Sequence, residues 1–156
     1  MNPYMKLAAE LAEENLKTNA GGPFGACVVK DGQVVGKGSN HVLANNDPTA
    51  HGEIMAIRDA CKNLGTYDLS GCELYTSAYP CPMCMSASIW ANIKKICYGN
   101  TKEEAAAIGF RDDAIYDFLN SLSGESDGTV SLEQLDHEVT IHSFEAFHAK
   151  EDKTIY

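Results

Sequence analysis

At 156 residues the chain is long enough for one domain with a substantial core and no need of disulfide staples. Twelve basic residues against 22 acidic ones leave a net charge of −10, which argues against nucleic acid as a partner. No stretch approaches the roughly 18–20 apolar residues of a membrane-crossing helix, and Met1 to Leu16 hold no apolar run of the kind a secretory signal needs. No membrane association and a cytoplasmic location are therefore expected.

Residues 3–19 place Leu7, Ala8, Leu11 and Ala12 at helical spacing with Glu10, Glu13 and Glu14 on the other side, and Gly21-Gly22-Pro23 closes that helix. Two strands, 26–30 and 33–38, flank Asp31-Gly32, a hairpin signal. Asp47-Pro48 reads as a helix start, with Asp47 as cap and Pro48 at the first helical position, and that helix runs to Leu64 before Gly65. A strand over 72–77, a helix over 82–92, a strand over 95–98 and a helix over 102–107 follow. This alternation implies an α/β domain, with a central mixed sheet covered by helices on both faces. Residues 121–128 are Ser/Gly-rich and acidic and read as an exposed turn or linker; beyond it 139–142 reads as a strand and 145–150 as a short helix. The whole chain is read as a single domain, 1–156.

Six cysteines without a signal peptide point to a reducing compartment, where thiols are buried, metal-bound or catalytic. Cys27, Cys61, Cys72 and Cys97 fall inside elements and read as plain thiols. Cys81 and Cys84 differ, because Pro80-Cys81-Pro82-Met83-Cys84 places two sulfurs on one face of a helix's first turn. The positive end of the helix there favours thiolate over thiol. With His51 they make three zinc ligands, leaving a fourth tetrahedral position for water. Glu53, two positions after His51, can approach that position without being a ligand and serve as the proton carrier. The pattern H-x-E followed by P-C-x-x-C is the zinc deaminase signature. A lone C-x-x-C would equally suit a redox pair or a structural zinc. A redox pair has no use for His51 or Glu53, however, and a structural site normally supplies a fourth Cys or His.

Several segments carry a further resemblance: Gly22-Pro23-Phe24-Gly25-Ala26, Asn46-Asp47-Pro48-Thr49-Ala50-His51, Ala56-Ile57-Arg58, the Cys81 motif, Ile89-Trp90-Ala91 and Gly109-Phe110. On these residues the chain resembles the cytidine deaminase-like superfamily, and within it the bacterial guanine deaminases. The resemblance implies a three-layer α/β/α sandwich and a zinc-dependent hydrolase acting on the C–N bond of a cyclic amidine, a small nucleobase, with guanine converted to xanthine and ammonia as the leading case. It implies that Asn40 hydrogen-bonds the substrate ring, that Phe24 and Trp90 sandwich it, and that Asp112 reads the guanine edge. Ordinary packing remains the alternative for Phe24 and Trp90, and a solvated surface charge for Asp112. It also implies a homodimer in which residues 121–156 are exchanged and Tyr156 closes over the partner's site; the apolar Val139, Ile141, Phe144, Phe147, Ile155 and Tyr156 fit that role or a cap on the chain's own sheet.

Two positions depart from the guanine deaminase pattern. Tyr79 stands where Glu precedes the Pro-Cys motif, and Gly52 where Ala is usual. These leave deamination intact and keep pyrimidine, nucleoside or other aminoheterocycle substrates open. A tRNA adenosine deaminase shares the signature but should present a basic face, and a non-enzymatic zinc fold would have no need of Glu53.

Overall fold

A computed structural model describes residues 1–122 and 130–156; of the turn expected over 121–128, residues 123–128 lie outside the described residues, and Ser121 ends a helix. The elements in chain order are α1 (Pro3–Thr18), β1 (Gly25–Lys30), β2 (Gln33–Ser39), α2 (Val42–Asn45), α3 (Gly52–Leu64), β3 (Cys72–Ala78), α4 (Pro82–Trp90), β4 (Lys95–Asn100), α5 (Lys102–Ala107), α6 (Asp112–Ser121) and α7 (His137–Ala149). The four strands form one sheet in the order β2-β1-β3-β4. β1 runs antiparallel to both β2 and β3, and β4 is parallel to β3, so the sheet is mixed as expected.

Local chemistry accounts for the ends of the elements. The Asn2 side chain accepts from the Tyr4 and Met5 amides at 2.9 and 3.0 Å, and Pro3 occupies the first turn of α1, where its missing N–H costs nothing. Asp31 and Gly32 both take positive φ, 49° and 76°, the pair of left-handed conformations that a two-residue hairpin turn demands.

Alternation along β1 divides the core into two layers. Ala26 and Val28 face Ala56 and Ala60 of α3, with Leu74 and Ile93 in the same cluster. Cys27 and Val29 face the other way with Tyr75, against Tyr4, Met5 and Leu7 of α1. Helices therefore cover both faces, and β1, apart from Lys30, is buried throughout. The helices lie close because glycines face them: a β-carbon on Gly36 or Gly38 would collide with the backbone of α3, and one on Gly25 with that of α1. All six cysteines are free thiols.

The chain divides into two compact units, Met1–Asp117 and Phe118–Tyr156. In the second, residues 139–142 are helical inside α7 rather than the expected strand. The β-branched run Val139-Thr140-Ile141 suggested extended chain, but Ile141, Phe144 and Phe147 recur at the three-residue spacing of one helix face. Phe144, Phe147 and His148 of α7 line a hollow together with Ile155 and Tyr156. Among the described residues no helix is long and apolar enough to cross a membrane.

The other correction concerns Asp47-Pro48. No helix starts there: the Asp47 carboxylate accepts from the Thr49 amide and hydroxyl, at 2.8 and 2.6 Å, and forms a tight turn two residues long. The helix begins at Gly52, with His51 extended at its N-cap (φ −68°, ψ 157°), and the short α2 precedes it.

Candidate active site

The later start of α3 places His51 at the N-cap of the helix rather than inside it. Cys81 occupies the same position on α4: it is the N-cap, and its sulfur accepts from the Cys84 amide at 3.5 Å. Two helix N-termini thus contribute to one site, and their exposed N–H groups and positive ends favour anionic sulfur. His51 Nδ1 lies 3.5 Å from Cys81 Sγ and 3.6 Å from Cys84 Sγ, and one ligand atom of each residue falls within 4.8 Å of the others.

These separations test whether zinc fits. Bonds of about 2.3 Å to sulfur and about 2.0 Å to imidazole nitrogen, at a tetrahedral angle, put the two donor atoms about 3.5 Å apart. The observed N–S distances match that edge. The donor set, two thiols and one imidazole, suits zinc and leaves one position open.

The electrostatics of the cluster are set by proximity and burial. Hydrogen bonding from Cys84, and then from His51, holds the Cys81 thiol down at about 4. Cys84 is pushed upward by the hydrogen it shares with Cys81 and by burial. The His51 imidazole is raised chiefly by its bond to Cys81. Glu53, in the first turn of α3, is 6% exposed, and burial pushes its carboxyl upward. Its Oε1 accepts from the Thr76 hydroxyl at 3.1 Å, while Oε2 accepts from the Cys84 thiol at 3.5 Å. The carboxyl is held beside the metal cluster in surroundings that favour carrying a proton.

A cavity of about 450 Å³ opens onto this cluster, with His51, Glu53 and Cys81 in its lining. Phe24, Asn40 and Asp112 line it too, as do Phe110, Arg111, Leu43 and Tyr79. Asp112 opens α6, and burial, followed by the nearby charge of Cys81, raises its carboxyl.

Residues 1–100 match the family model described as the cytidine and deoxycytidylate deaminase zinc-binding region. The chain belongs to this deaminase family. It is similar to the guanine deaminase of Bacillus subtilis (strain 168), with 50% identity over 113 residues that make up 72% of each chain. An X-ray structure of guanine deaminase from Bacillus subtilis matches with a TM-score of 0.92 at 41% identity, covering 100% of this chain and 99% of that one. A tRNA-specific adenosine deaminase from Aquifex aeolicus (strain VF5) is 45% identical over 76 residues, about half of each protein.

Within this deaminase, one expected substrate residue of the first unit is not among the residues that line the cavity. Trp90 is at the end of α4, 64% exposed, and the aromatic partner of Phe24 is Phe110, edge-on at a centroid distance of 4.7 Å. Tyr156 belongs to the second unit, in the hollow with α7. Tyr79 is fixed by its amide, which donates to the Asn100 carbonyl at 2.8 Å, and by edge contacts to Tyr98 and Tyr116 at 5.0 and 6.1 Å. Lys102 Nζ stands 5.7 Å from the Tyr79 ring and 5.4 Å from that of Tyr116. At Gly52 a β-carbon would stand 3.1 Å from the Phe24 carbonyl, so glycine suits a helix packed against backbone.

The sequence reading did not single out Tyr116 or α6. The paired Asp112-Asp113, now the first turn of that helix, was the available signal.

Proposed function

We propose that this deaminase converts guanine to xanthine and ammonia. The observation that carries the reading is the position of Glu53, buried against Cys84 at the base of a cavity that also holds Phe24, Asn40 and Asp112. Phe24 and Phe110 offer aromatic surface to a planar ring. Asp112 offers a carboxylate to the N–H edge of a 2-aminopurine, and Asn40 an amide to the ring. Similarity to guanine deaminase along the whole chain supports the same substrate.

Zinc held by His51, Cys81 and Cys84 supplies Lewis acidity that makes water nucleophilic near neutral pH. Glu53 takes a proton from the attacking water and delivers it to the ring nitrogen beside the amine-bearing carbon. A new C–O bond forms at that carbon. Glu53 then carries the second water proton to the amine, the C–N bond breaks, and ammonia leaves as the carbonyl forms. Water supplies the oxygen of the product, and no redox change occurs.

Tyr79 favours a second reading, in which another aminoheterocycle is preferred, because it lines the cavity where the guanine deaminase pattern has Glu. Ammonia release from guanine, adenine, cytosine, their nucleosides and an aminotriazine decides between them. The highest kcat/KM on guanine supports the proposal; a higher value on a pyrimidine or nucleoside overturns it.

We further propose a homodimer that exchanges residues 121–156. Support comes from the apolar side chains the second unit presents, Val139, Phe144 and Ile155 being 65–75% exposed in the single chain. Tyr156 would then enclose the partner's cavity and exclude water from it.

A further inference from the structure

Asn15 is a polar side chain on the buried face of α1, 4% exposed, and the chemistry described above makes no use of it. Its amide nitrogen donates two hydrogen bonds, each 2.8 Å, to the carbonyls of Gly22 and Asn40. Both acceptors lie on the cavity wall. The Gly22 carbonyl also receives the Phe24 amide at 2.9 Å, and the Phe24 carbonyl receives the Asn40 amide at 2.9 Å. These four bonds close a ring through Asn15, Gly22, Phe24 and Asn40. The Thr18 hydroxyl, 3.4 Å from Asn15 Oδ1, donates to that oxygen and so orients the amide with its nitrogen toward the two carbonyls.

The ring bears on substrate through Asn40. Its backbone is held at the N–H by Phe24 and at the carbonyl by Asn15, and its side-chain Oδ1 accepts from the Val42 amide at 3.1 Å. The remaining donor, Nδ2, is the group left to meet a ring nitrogen or oxygen in the cavity. Gly21 keeps room for this side chain, since a β-carbon there would overlap Asn40 Oδ1. We infer that Asn15 is a positioning residue for substrate, holding the Phe24 wall and the Asn40 amide in a fixed relation from behind.

The inference rests on the reading of Phe24 and Asn40 as the substrate walls of a guanine deaminase. It is tested by replacing Asn15 with Ala in the zinc-loaded protein, with Tyr4→Phe as a control. Tyr4 also anchors α1 through one bond, to the Gly32 carbonyl at 2.8 Å, away from the cavity. Asn15→Ala should keep its zinc and raise KM for guanine about five- to tenfold, the effect of loosening one or two hydrogen bonds. Its kcat should stay within about twofold, because the metal cluster and Glu53 are untouched. Tyr4→Phe should lower thermal stability and leave KM unchanged. An unchanged KM in Asn15→Ala, or an equal rise in Tyr4→Phe, overturns the inference, since destabilisation alone would then account for everything. If Asn15→Ala does not fold, Asn15→Ser takes its place with the same expected and opposing outcomes. Amide exchange separates this inference from its parent. If the wild-type protein releases no ammonia from guanine, the substrate reading fails. Faster exchange at the Phe24 and Asn40 amides in Asn15→Ala but not in Tyr4→Phe then still supports Asn15 as the group that holds this wall, and exchange that is unchanged, or faster in both, overturns it.

Discussion

The Tyr116 hydroxyl donates to the Pro80 carbonyl over 2.6 Å, so α6, which presents Asp112 to the cavity, is tied to the residue just before Cys81. The bond links the metal-binding turn to the helix that carries Asp112, and Tyr116 and Asp112, four residues apart, share one side of α6. Substituting Tyr116 with Phe should cost about 1 kcal/mol of stability, the usual net worth of such a bond. Burial also pushes the Tyr116 phenol from 10 to about 12. The folded state therefore keeps a proton that the unfolded chain releases, and stability contributed below pH 10 is lost as pH rises toward 12. Denaturant melts across this range should show a shallower alkaline decline for Tyr116→Phe than for the wild type.

Glu53→Gln preserves size and can still accept from Thr76, so fold and zinc content should persist. Turnover should fall by about 10²–10⁴-fold, as expected when a general acid–base group is lost. Steady-state kinetics alongside metal analysis check this, and near-wild-type turnover with zinc bound would assign the proton transfers to another group.

The purified protein should bind about one zinc per chain, three donors and an open position being the catalytic pattern. Cys81→Ala and Cys84→Ala should each lose metal and activity together. Because zinc binds the folded chain, a chelator should lower the melting temperature and added zinc restore it. Full activity in a preparation shown by metal analysis to lack zinc would contradict the reading.

Asp112→Ala should damage selectivity more than metal binding. Loss of a carboxylate that accepts from the 2-amino edge should cost about 1–3 kcal/mol in kcat/KM for guanine. A purine without the 2-amino group has no amine to release at that carbon, and its binding, read as competitive inhibition, should suffer less. Equal losses on both would assign Asp112 to holding α6 in place.

Deleting residues 152–156 should raise KM and lower kcat with zinc retained, if the second unit closes over a partner's cavity. Sedimentation should find a dimer. A monomer with unchanged kinetics after truncation would leave the tail a purely structural role.

The sequence alone determined the reaction chemistry and the central architecture. The spacing of His51, Glu53, Cys81 and Cys84 carries a metal-ligand logic that needs no coordinates, and the β1–β2 hairpin and three-layer order follow from short-range periodicity and the Asp31-Gly32 turn. Local signals failed where two local solutions competed. Asp47 can cap a helix three residues on or turn the chain two residues on, and its bonds to Thr49 take the turn; Val139–Thr140–Ile141 fits a strand or one turn of helix, and the wider spacing of Ile141, Phe144 and Phe147 goes with the helix. Only the tertiary structure brought Asn15 to the back of the cavity wall and Tyr116 to Pro80, contacts spanning 25 and 36 residues that no local pattern encodes. It also converged the N-termini of α3 and α4, so that two N-cap side chains, His51 and Cys81, meet at the metal site with Cys84 from the first turn of α4. Motif spacing records which donors exist; helix geometry and burial decide where they point.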